Sequence, residues 1–341
     1  MSCMVFNNVS ILGLSHVEAN HIIKSEDIEN TLAANIQKFG MKPHVIQDLT
    51  GIKERRFWDP GVEPSAVATI AAEKALERAG VQRSQVGALI STSVCKDFVE
   101  PSVAALVHGN LKLSSECINF DLSSACLAFL NGMDVAAMML EAKRIDYALV
   151  VNGESVRELI GRAMELLSDP QCDEKMFKEN FATLTLGSGA TAMVLTRSEH
   201  APQSHKFLGG VTLAATEHNR LCCWKGDRMI TDGSKLLSEG IRLAIKTYEK
   251  AKIMLDWKNK KIDEYIFHQV GLAHTAKLSE HMHVDLSKSY MTFPRFGNMG
   301  PASLPFTLAK GDAEGRFTKG QRIALLGIGS GLNCAMMEVI W

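Results

Sequence analysis

Apolar, strand-like runs recur along this chain of 341 residues at a nearly constant separation. The four runs are Val86–Ile90, Tyr147–Val151, Glu264–Phe267 and Arg322–Leu326. Aligning Leu89 with Ile266 gives an offset of 177 residues, and aligning Leu149 with Leu325 gives an offset of 176. Two strand pairs that share an offset indicate that one structural unit occurs twice in the chain.

Helical patterns accompany these runs in both halves. The stretch Ala128–Ala142 separates the first pair, Pro64–Ala79 places alanines on one face, and Leu236–Ile253 has a similar apolar spacing. Strands that alternate with helices predict an α/β fold with mostly parallel sheets covered by helices. The small alanine face predicts close helix packing in a middle layer that the two halves share.

The repeat also predicts how the chain is divided. We expect an N-terminal half over residues 1–195 and a C-terminal half over residues 196–341. Residues 155–185 fall outside the repeat, and their amphipathic pattern predicts an inserted helical segment. Such an insertion would cap an alkyl-binding channel or form dimer surface, and its composition favours neither.

The composition excludes several classes of protein. A formal net charge of −1 argues against a nucleic-acid binder, and no apolar run approaches the roughly 18 residues of a membrane helix. The first residues lack the basic region of a signal peptide. The eight cysteines contain no C-x-x-C pair, so neither a zinc site nor a disulfide framework is predicted. These features predict a reduced, cytoplasmic protein without a metal or redox cofactor.

Cys126 lies where a strand-like run gives way to a helix, in Asp-Leu-Ser-Ser-Ala-Cys. Free backbone N–H groups and the helix dipole at such a position favour the thiolate, which is the form that attacks carbonyl carbon. A buried structural cysteine is the alternative interpretation. Adding the repeat offset to 126 gives Ala302, so a second strand-to-helix turn is predicted there.

His268 and Asn298 are the two polar side chains that favour the catalytic interpretation. His268 ends an apolar run, and Asn298 lies in a glycine-framed turn just before Ala302. Ligands of parallel sheets bind beyond the carboxyl ends of strands, so we expect Cys126, His268 and Asn298 to share one pocket. A lone histidine at such a position could instead be a satisfied core residue. The glycine-rich turn at Gly331 predicts an oxyanion hole formed by the amides of Cys126 and Gly331.

These motifs, in this order, resemble the thiolase-fold condensing enzymes of the ketoacyl synthase III group. The matching segments are 121–126, His268-Gln269, Gly297-Asn298 with 302–305, the last glycine turn, and Gly51–Arg56. The resemblance implies a five-layer αβαβα dimer in which Cys126 accepts an acyl group and His268 and Asn298 hold a thioester oxygen. It also implies that Arg55 and Arg56 contact coenzyme A phosphates, although a surface pair is equally consistent with the sequence.

One residue narrows the resemblance to the OleA family, which joins two long-chain acyl-CoA molecules head to head in olefin biosynthesis. Glu100 stands where ordinary ketoacyl synthases III carry an aromatic residue, and the OleA resemblance implies that it enters the partner subunit's site. An unactivated acyl-CoA must lose an α-proton, and a carboxylate could remove it. A solvated acid at a helix start is the alternative for Glu100.

The resemblance implies a non-decarboxylative Claisen condensation to a 2-alkyl-3-oxoalkanoate, with acyl-CoA as substrate, no cofactor and possible downstream lipid-pathway enzymes. A decarboxylating synthase that uses malonyl-ACP is one alternative. A thiolase is another, although Cys334 is poorly placed for its second cysteine. The non-enzymatic alternative is an inactive acyl-binding subunit, which would have no need of Cys126, His268 and Asn298 together.

Overall fold

The fold is that of a computed structural model, which describes residues 3–341. Its strands are β1 Cys3–Val5, β2 Val9–Glu18, β3 His21–Lys24, β4 Glu54–Phe57, β5 Val86–Ser91, β6 Ile118–Asp121, β7 Tyr147–Glu154, β8 Gly189–Arg197, β9 His205–Ala214, β10 Cys222–Lys225, β11 Arg228–Thr231, β12 Glu264–Phe267, β13 Arg322–Gly329 and β14 Asn333–Ile340. Its helices are α1 Ser25–Thr31, α2 Ala33–Lys38, α3 Val45–Thr50, α4 Pro64–Ala79, α5 Val103–Leu111, α6 Ala128–Glu141, α7 Arg157–Ser168, α8 Glu174–Asn180, α9 Gly233–Met254, α10 Leu272–Met282, α11 Phe293–Phe296 and α12 Ser303–Ala313. Each strand or helix predicted from the repeat is therefore present, with ends that differ by a few residues.

Two similar groups of five strands form one ten-stranded sheet. The first has the order β2-β8-β7-β5-β6, and the second has the order β12-β13-β14-β9 with β1 beside β9. Within residues 3–341, two residue pairs join the groups, Ser10–Lys206 and Ile11–His205. The parallel register pairs Leu89 with Leu149 and pairs Ile266 with Leu325. The predicted repeat is thus confirmed residue by residue.

The two faces of each strand group are covered by different helices. Leu89 of β5 packs in the cluster that contains α4 and α5, whereas the adjacent Ile90 packs in the cluster that contains α6. The α6 cluster also holds residues of α12 and of both strand groups, and α9 and α10 cover the far face of the second group. The layers are therefore helix, sheet, helix, sheet and helix, and the middle helices are α6 and α12.

The alanine face of α4 is not in the middle layer, so that prediction was wrong. Ala68, Ala71, Ala72 and Ala75 pack on the outer face of the first strand group. The helix lies so close that a Cβ on Gly13 would be 2.4 Å from the Ala75 oxygen, and one on Gly153 would be 2.2 Å from the Pro64 oxygen. Small side chains are needed here for helix–sheet contact.

The predicted insertion at residues 155–185 holds α7, α8 and a short 3-10 turn, Phe181–Thr185. Its apolar residues Leu167, Phe177 and Leu184 share a core with Ile28 and Leu32 of the early helices. The predicted boundary at 195/196 falls within β8. The antiparallel pair β3–β4 and the hairpin β10–β11 form two separate two-stranded sheets. None of the helices within residues 3–341 is long and apolar enough to cross a bilayer.

Candidate active site

Cys126, His268 and Asn298 line one cavity of about 500 Å³. They come from three segments that are far apart in the chain, and each follows a strand or turn at the same end of the sheet. Most of the wall is apolar, with contributions from the insertion, the β10–β11 hairpin and the starts of α9 and α10. The lining apolar residues include Leu49, Val94, Val156, Phe181, Leu186, Trp224, Met229, Leu236, Leu237, Val270, Met299, Ile328 and Leu332.

Cys126 lies in a short 3-10 turn, Ala125–Leu127, which leads directly into α6. Ala125 has a φ of 46°, a left-handed value that residues with a Cβ rarely adopt. The corresponding 3-10 turn of the second half is Gly300–Ala302, which leads into α12. Both turns begin with a residue of positive φ, Ala125 and Gly300, so their alignment places Pro301 opposite Cys126, one position before the residue that the offset of 176 gives. The predicted second turn is therefore present, and only the first half carries a nucleophile in it.

The charge state of Cys126 differs from the sequence prediction. Burial, with smaller effects of the nearby Cys222 and Glu154, raises the pKa of the thiol to about 12, although its own backbone amide acts in the opposite direction. Desolvation thus exceeds the effect of the helix N-terminus. The predicted resting thiolate is wrong: the free protein holds Cys126 as a thiol, whose proton must leave during attack.

His268 follows β12, and its amide donates to the Leu326 carbonyl at 2.8 Å. The side chain is 3 % exposed, and its Nδ1 has no hydrogen-bond partner among the described residues. Burial, with a smaller effect of the nearby His274, lowers the pKa of the imidazole to about 3. The ring is therefore neutral near pH 7 and is able to donate or accept one proton.

Gln269 explains how the segment after His268 is held. Its Oε1 accepts from the amides of Thr292 and Phe293 at 2.7 and 2.8 Å, and its Nε2 donates to the Tyr290 carbonyl at 2.9 Å. These bonds join the end of β12 to α11, which leads to Asn298. The glutamine beside the histidine is thus a positioning residue for this part of the site.

Asn298 is held in its turn by both backbone and side-chain bonds. Its amide donates to the Thr185 carbonyl at 2.9 Å, and its carbonyl accepts from Gly187 at 2.9 Å. Its Oδ1 accepts from the Gly300 amide at 3.0 Å and from Ser303 Oγ at 3.4 Å. Because Oδ1 is used by the turn, Nδ2 is the group of this side chain that is suited to donate into the cavity.

The glycine turn after β13 places a different residue at the cavity than the sequence predicted. Gly329 packs against the turn of the nucleophile, and a Cβ there would be 3.3 Å from the Cys126 nitrogen. Ser330 lines the cavity, but Gly331 is not among its lining residues. The chain turns at Gly331 with a φ of 125°. Ser330 is therefore the residue of this turn that borders the cavity in place of Gly331, and a role of Gly331 in an oxyanion hole stays a prediction.

Arg55 is completely buried, which contradicts its predicted contact with phosphate. Its guanidinium donates to Ser25 Oγ at 3.0 Å and to the Leu184 carbonyl at 2.8 Å. It therefore ties the early helices to the insertion. Arg56 lies 3.4 Å from Glu54 and over the ring of Phe296. It does not line the described cavity, and its contact with phosphate stays a prediction.

Glu100 is exposed and does not line the cavity of its own chain. It follows Phe98 and Val99, whose side chains are 50 % and 95 % exposed. The segment is tied to the end of β6 by a 2.8 Å ion pair between Lys96 and Asp121. Within one chain the predicted base is therefore separate from Cys126.

Sequence reasoning missed three titratable residues of the cavity wall, Glu154, Cys222 and His274. Glu154 closely follows the apolar run Tyr147–Val151, which was a usable signal, whereas His274 lies in α10 without a comparable one. Cys334 is buried in β14 outside the cavity, so it does not act as the second cysteine of a thiolase. No group of three or more potential metal ligands occurs within the described part of the chain.

Comparisons with known proteins agree with this arrangement. The 3-oxoacyl-[acyl-carrier-protein] synthase III model matches residues 120–213, its C-terminal model matches 254–341, and the FAE1/type III polyketide synthase-like model matches 39–165. The acyl-CoA:acyl-CoA alkyltransferase of Xanthomonas campestris is 48 % identical over 99 % of this chain and 100 % of its own length. The enzyme of the same name from Shewanella oneidensis is 34 % identical, with the same coverage.

Solved structures extend the agreement to three dimensions. Cerulenin-bound OleA from X. campestris, 48 % identical, superimposes with a TM-score of 0.97 over 99 % of this chain and 98 % of that one. A variant of the same enzyme with bound lauric acid and lauroyl-CoA gives a TM-score of 0.96 over 98 % and 100 %. The chain therefore belongs to the OleA family of acyltransferases, within the ketoacyl synthase III group of thiolase-fold enzymes.

Proposed function

We propose that this enzyme condenses two long-chain acyl-CoA molecules, without decarboxylation, to a 2-alkyl-3-oxoalkanoate. The observation that carries the proposal is the shared apolar cavity of Cys126, His268 and Asn298. Two flexible acyl chains need a largely apolar pocket with few polar groups, and this cavity has that character. The lauroyl-CoA bound to the Xanthomonas relative supports the same substrate class.

In the first stage, the sulfur of Cys126 attacks the thioester carbon of one acyl-CoA. The thiol proton passes to a base, for which the neutral His268 is the suitable cavity group, and CoA leaves with a proton. The amides of Cys126 and Ser330 donate to the tetrahedral oxyanion. The product of this stage is an acyl-Cys126 thioester.

In the second stage, the thioester oxygen of a second acyl-CoA accepts hydrogen bonds from His268 and from Nδ2 of Asn298. Glu100 of a partner subunit removes the α-proton, and the resulting enolate carbon attacks the acyl-Cys126 thioester. The Cys126 sulfur departs and is protonated again, and hydrolysis of the product's CoA thioester frees the acid. No step needs a metal or a redox cofactor.

A homodimer supplies Glu100 in this proposal. Strand β6 is the edge of the sheet, and Ile118 on it is 48 % exposed. An edge strand with free backbone groups and apolar side chains is suited to pairing with a second copy. The Lys96–Asp121 ion pair holds the residues just before Glu100 beside this edge. Pairing of two β6 strands would therefore place each Glu100 next to the neighbouring chain.

Variants of the Xanthomonas enzyme support these residue roles. Structures have been solved with substitutions at one cysteine, one glutamate and one histidine. The glutamate precedes the cysteine by 26 positions and the histidine follows it by 142, which are the separations of Glu100, Cys126 and His268 here. We assign the same three positions to the reaction of this chain. Its place in olefin biosynthesis, its downstream enzymes and its cytoplasmic location stay predictions.

The test is incubation with a long-chain acyl-CoA as the only thioester. We expect release of CoA, an acyl adduct on Cys126 detected by peptide mass spectrometry, and a 2-alkyl-3-oxo acid. Cys126→Ala removes all three, whereas Cys223→Ser, at an exposed cysteine of the hairpin, retains them. Glu100→Ala retains the acyl adduct but lowers condensation at least 100-fold, because the enolate is not formed.

Two results would refute the proposed condensation, and a third would refute only the role of Glu100. Product that appears only with malonyl-ACP, together with release of CO2, would establish the decarboxylating synthase instead. Binding of acyl-CoA without release of CoA would establish the inactive acyl-binding subunit. Retention of full condensation by Glu100→Ala would remove Glu100 as the base.

A further inference from the structure

Glu154 is a buried carboxylate in the wall of the cavity, and the mechanism above does not use it. It is the last residue of β7, its side chain is 2 % exposed, and it lines the cavity together with Cys126. Burial raises its pKa to about 7, although several hydrogen bonds act in the opposite direction. Burial of a carboxylate carries a free-energy penalty of desolvation, so its position in the protein requires an explanation.

The hydrogen bonds of Glu154 lead to the chain segment that carries Glu100. Its Oε1 accepts from the Val94 amide at 2.9 Å and from Asn152 Nδ2 at 3.2 Å, and its Oε2 accepts from the Cys95 amide at 3.0 Å. We call residues 92–100 the Glu100 segment. One carboxylate thus holds two consecutive amides near the start of this segment, five to six residues before Glu100.

The rest of the segment is fixed at its start and exposed at its end. The Gly153 amide donates to Ser93 Oγ at 2.9 Å, and Ser65 Oγ donates to Asp97 at 2.8 Å. After Asp97, the residues Phe98, Val99 and Glu100 are exposed. After Glu100 the chain is held again, because the amides of Val103 and Ala104 donate to Asp121 at 3.2 and 2.8 Å. The position of Glu100 is therefore set by the anchored residues on both sides of this exposed stretch, and Glu154 holds the side that precedes it.

We propose that Glu154 is a positioning residue that aims Glu100 of its own chain into the cavity of the partner subunit. This inference rests on the proposed dimer and on Glu100 as the base. Each cavity wall then contains the Glu154 that positions Glu100, the base of the other site. Loss of the Glu154 carboxylate therefore impairs condensation at Cys126 of the partner, and not at Cys126 of the same chain.

The test uses mixed dimers with Glu154→Gln and Cys126→Ala. The glutamine is isosteric, but its amide NH₂ faces the Val94 or Cys95 amide, so one of these donors loses its acceptor. In the trans dimer, one chain carries Glu154→Gln and the other carries Cys126→Ala. In the cis dimer, one chain carries both substitutions and the other is wild type. Two affinity tags and tandem purification isolate each mixed dimer.

The two dimers have the same composition, so a general folding defect affects both alike. In the trans dimer, the working Cys126 receives Glu100 from a chain with an intact Glu154, and we expect about half of the wild-type condensation rate. In the cis dimer, the working Cys126 receives Glu100 from the altered segment, and we expect a rate at least tenfold lower. Rates are normalised to the CoA released during acylation.

Other outcomes contradict the inference. A slow trans dimer with a fast cis dimer would mean that Glu154 acts in its own cavity, and equal rates would mean that it does not aim Glu100. The same pair of dimers with Glu100→Ala in place of Glu154→Gln separates the two proposals. If the Glu100→Ala dimers do not show a fast trans dimer and a slow cis dimer, the proposed dimer arrangement fails. If they show this difference but the Glu154→Gln dimers do not, only the role of Glu154 fails. Glu154→Asp replaces Glu154→Gln in the same design if the glutamine variant does not fold.

Discussion

The thiol of Cys126 is subject to two opposing effects. The start of α6 offers free amides that favour a negative charge, but the surrounding protein withholds water from it. The raised pKa shows that desolvation is the larger effect. Activation of the nucleophile therefore depends on proton transfer to a neighbouring group at the time of attack, and the neutral His268 in the same cavity is suited to accept that proton.

The lowered pKa of His268 predicts how stability depends on pH. The folded-state pKa is about 3, whereas an unfolded histidine has a pKa of about 6.5. Below pH 6.5 the unfolded chain takes up a proton that the folded chain does not, so this residue's contribution to stability falls as pH falls. From pH 8 to pH 5 we expect a loss of about 2 kcal/mol that is attributable to His268.

Chemical denaturation of the wild type and of His268→Gln at both pH values measures this loss. The free energy of unfolding of the variant should fall by about 2 kcal/mol less than that of the wild type over this range. His281→Gln, at an exposed position of α10, is the control and should follow the wild type. Parallel losses in the wild type and in His268→Gln would mean that the imidazole is not kept neutral by burial.

Helix α4 and the strands beneath it approach closely because both sides lack bulk. Alanines cover the helix face, and Gly13 and Gly153 face it from β2 and β7. The strands need a glycine at these points for a steric reason, since neither residue has a positive φ. The sequence shows the alanine spacing, but the partner surface is visible only in the fold.

Gly153→Ala is therefore expected to destabilise the protein. The added methyl would overlap the Pro64 carbonyl, and overpacking of a well-packed contact costs about 1–3 kcal/mol. Gly161→Ala in α7 is the matched control, because a Cβ there meets nothing within 4 Å and alanine favours a helix by about 1 kcal/mol. In thermal unfolding, the Tm of Gly153→Ala should be lower than that of the wild type, and the Tm of Gly161→Ala should be unchanged or higher. Equal Tm values would contradict the close approach of α4.

At the scale of the whole molecule, the sheet has one edge that suits assembly. Strand β6 pairs with β5 and has no further neighbour within the described chain. The proposed dimer extends the sheet at this edge and completes the site with Glu100. Assembly and catalysis are then linked, because a monomer has the nucleophile but not the base.

Ile118→Lys tests this link. A lysine on an edge strand opposes pairing with another strand. We therefore expect the dissociation constant of the dimer to be at least tenfold higher than that of the wild type. Condensation should fall in parallel, whereas acylation of Cys126 should continue. Ile253→Lys, at a 67 % exposed position near the end of α9, is the control. Light scattering after size-exclusion chromatography measures the mass, and a variant that remains a dimer would contradict the role of β6.

The repeat, the main strands and helices, and the three residues Cys126, His268 and Asn298 could be predicted from the sequence alone. Periodicity and turn residues act over a few positions, and a constant offset relates the two halves directly. The charge of Cys126, the burial of Arg55, the place of Ser330 beside the cavity and the contacts of Glu154 were decided only by the tertiary structure. Each of these depends on solvent exclusion or on atoms from distant segments, such as Leu184 beside Arg55. A linear pattern does not contain that information.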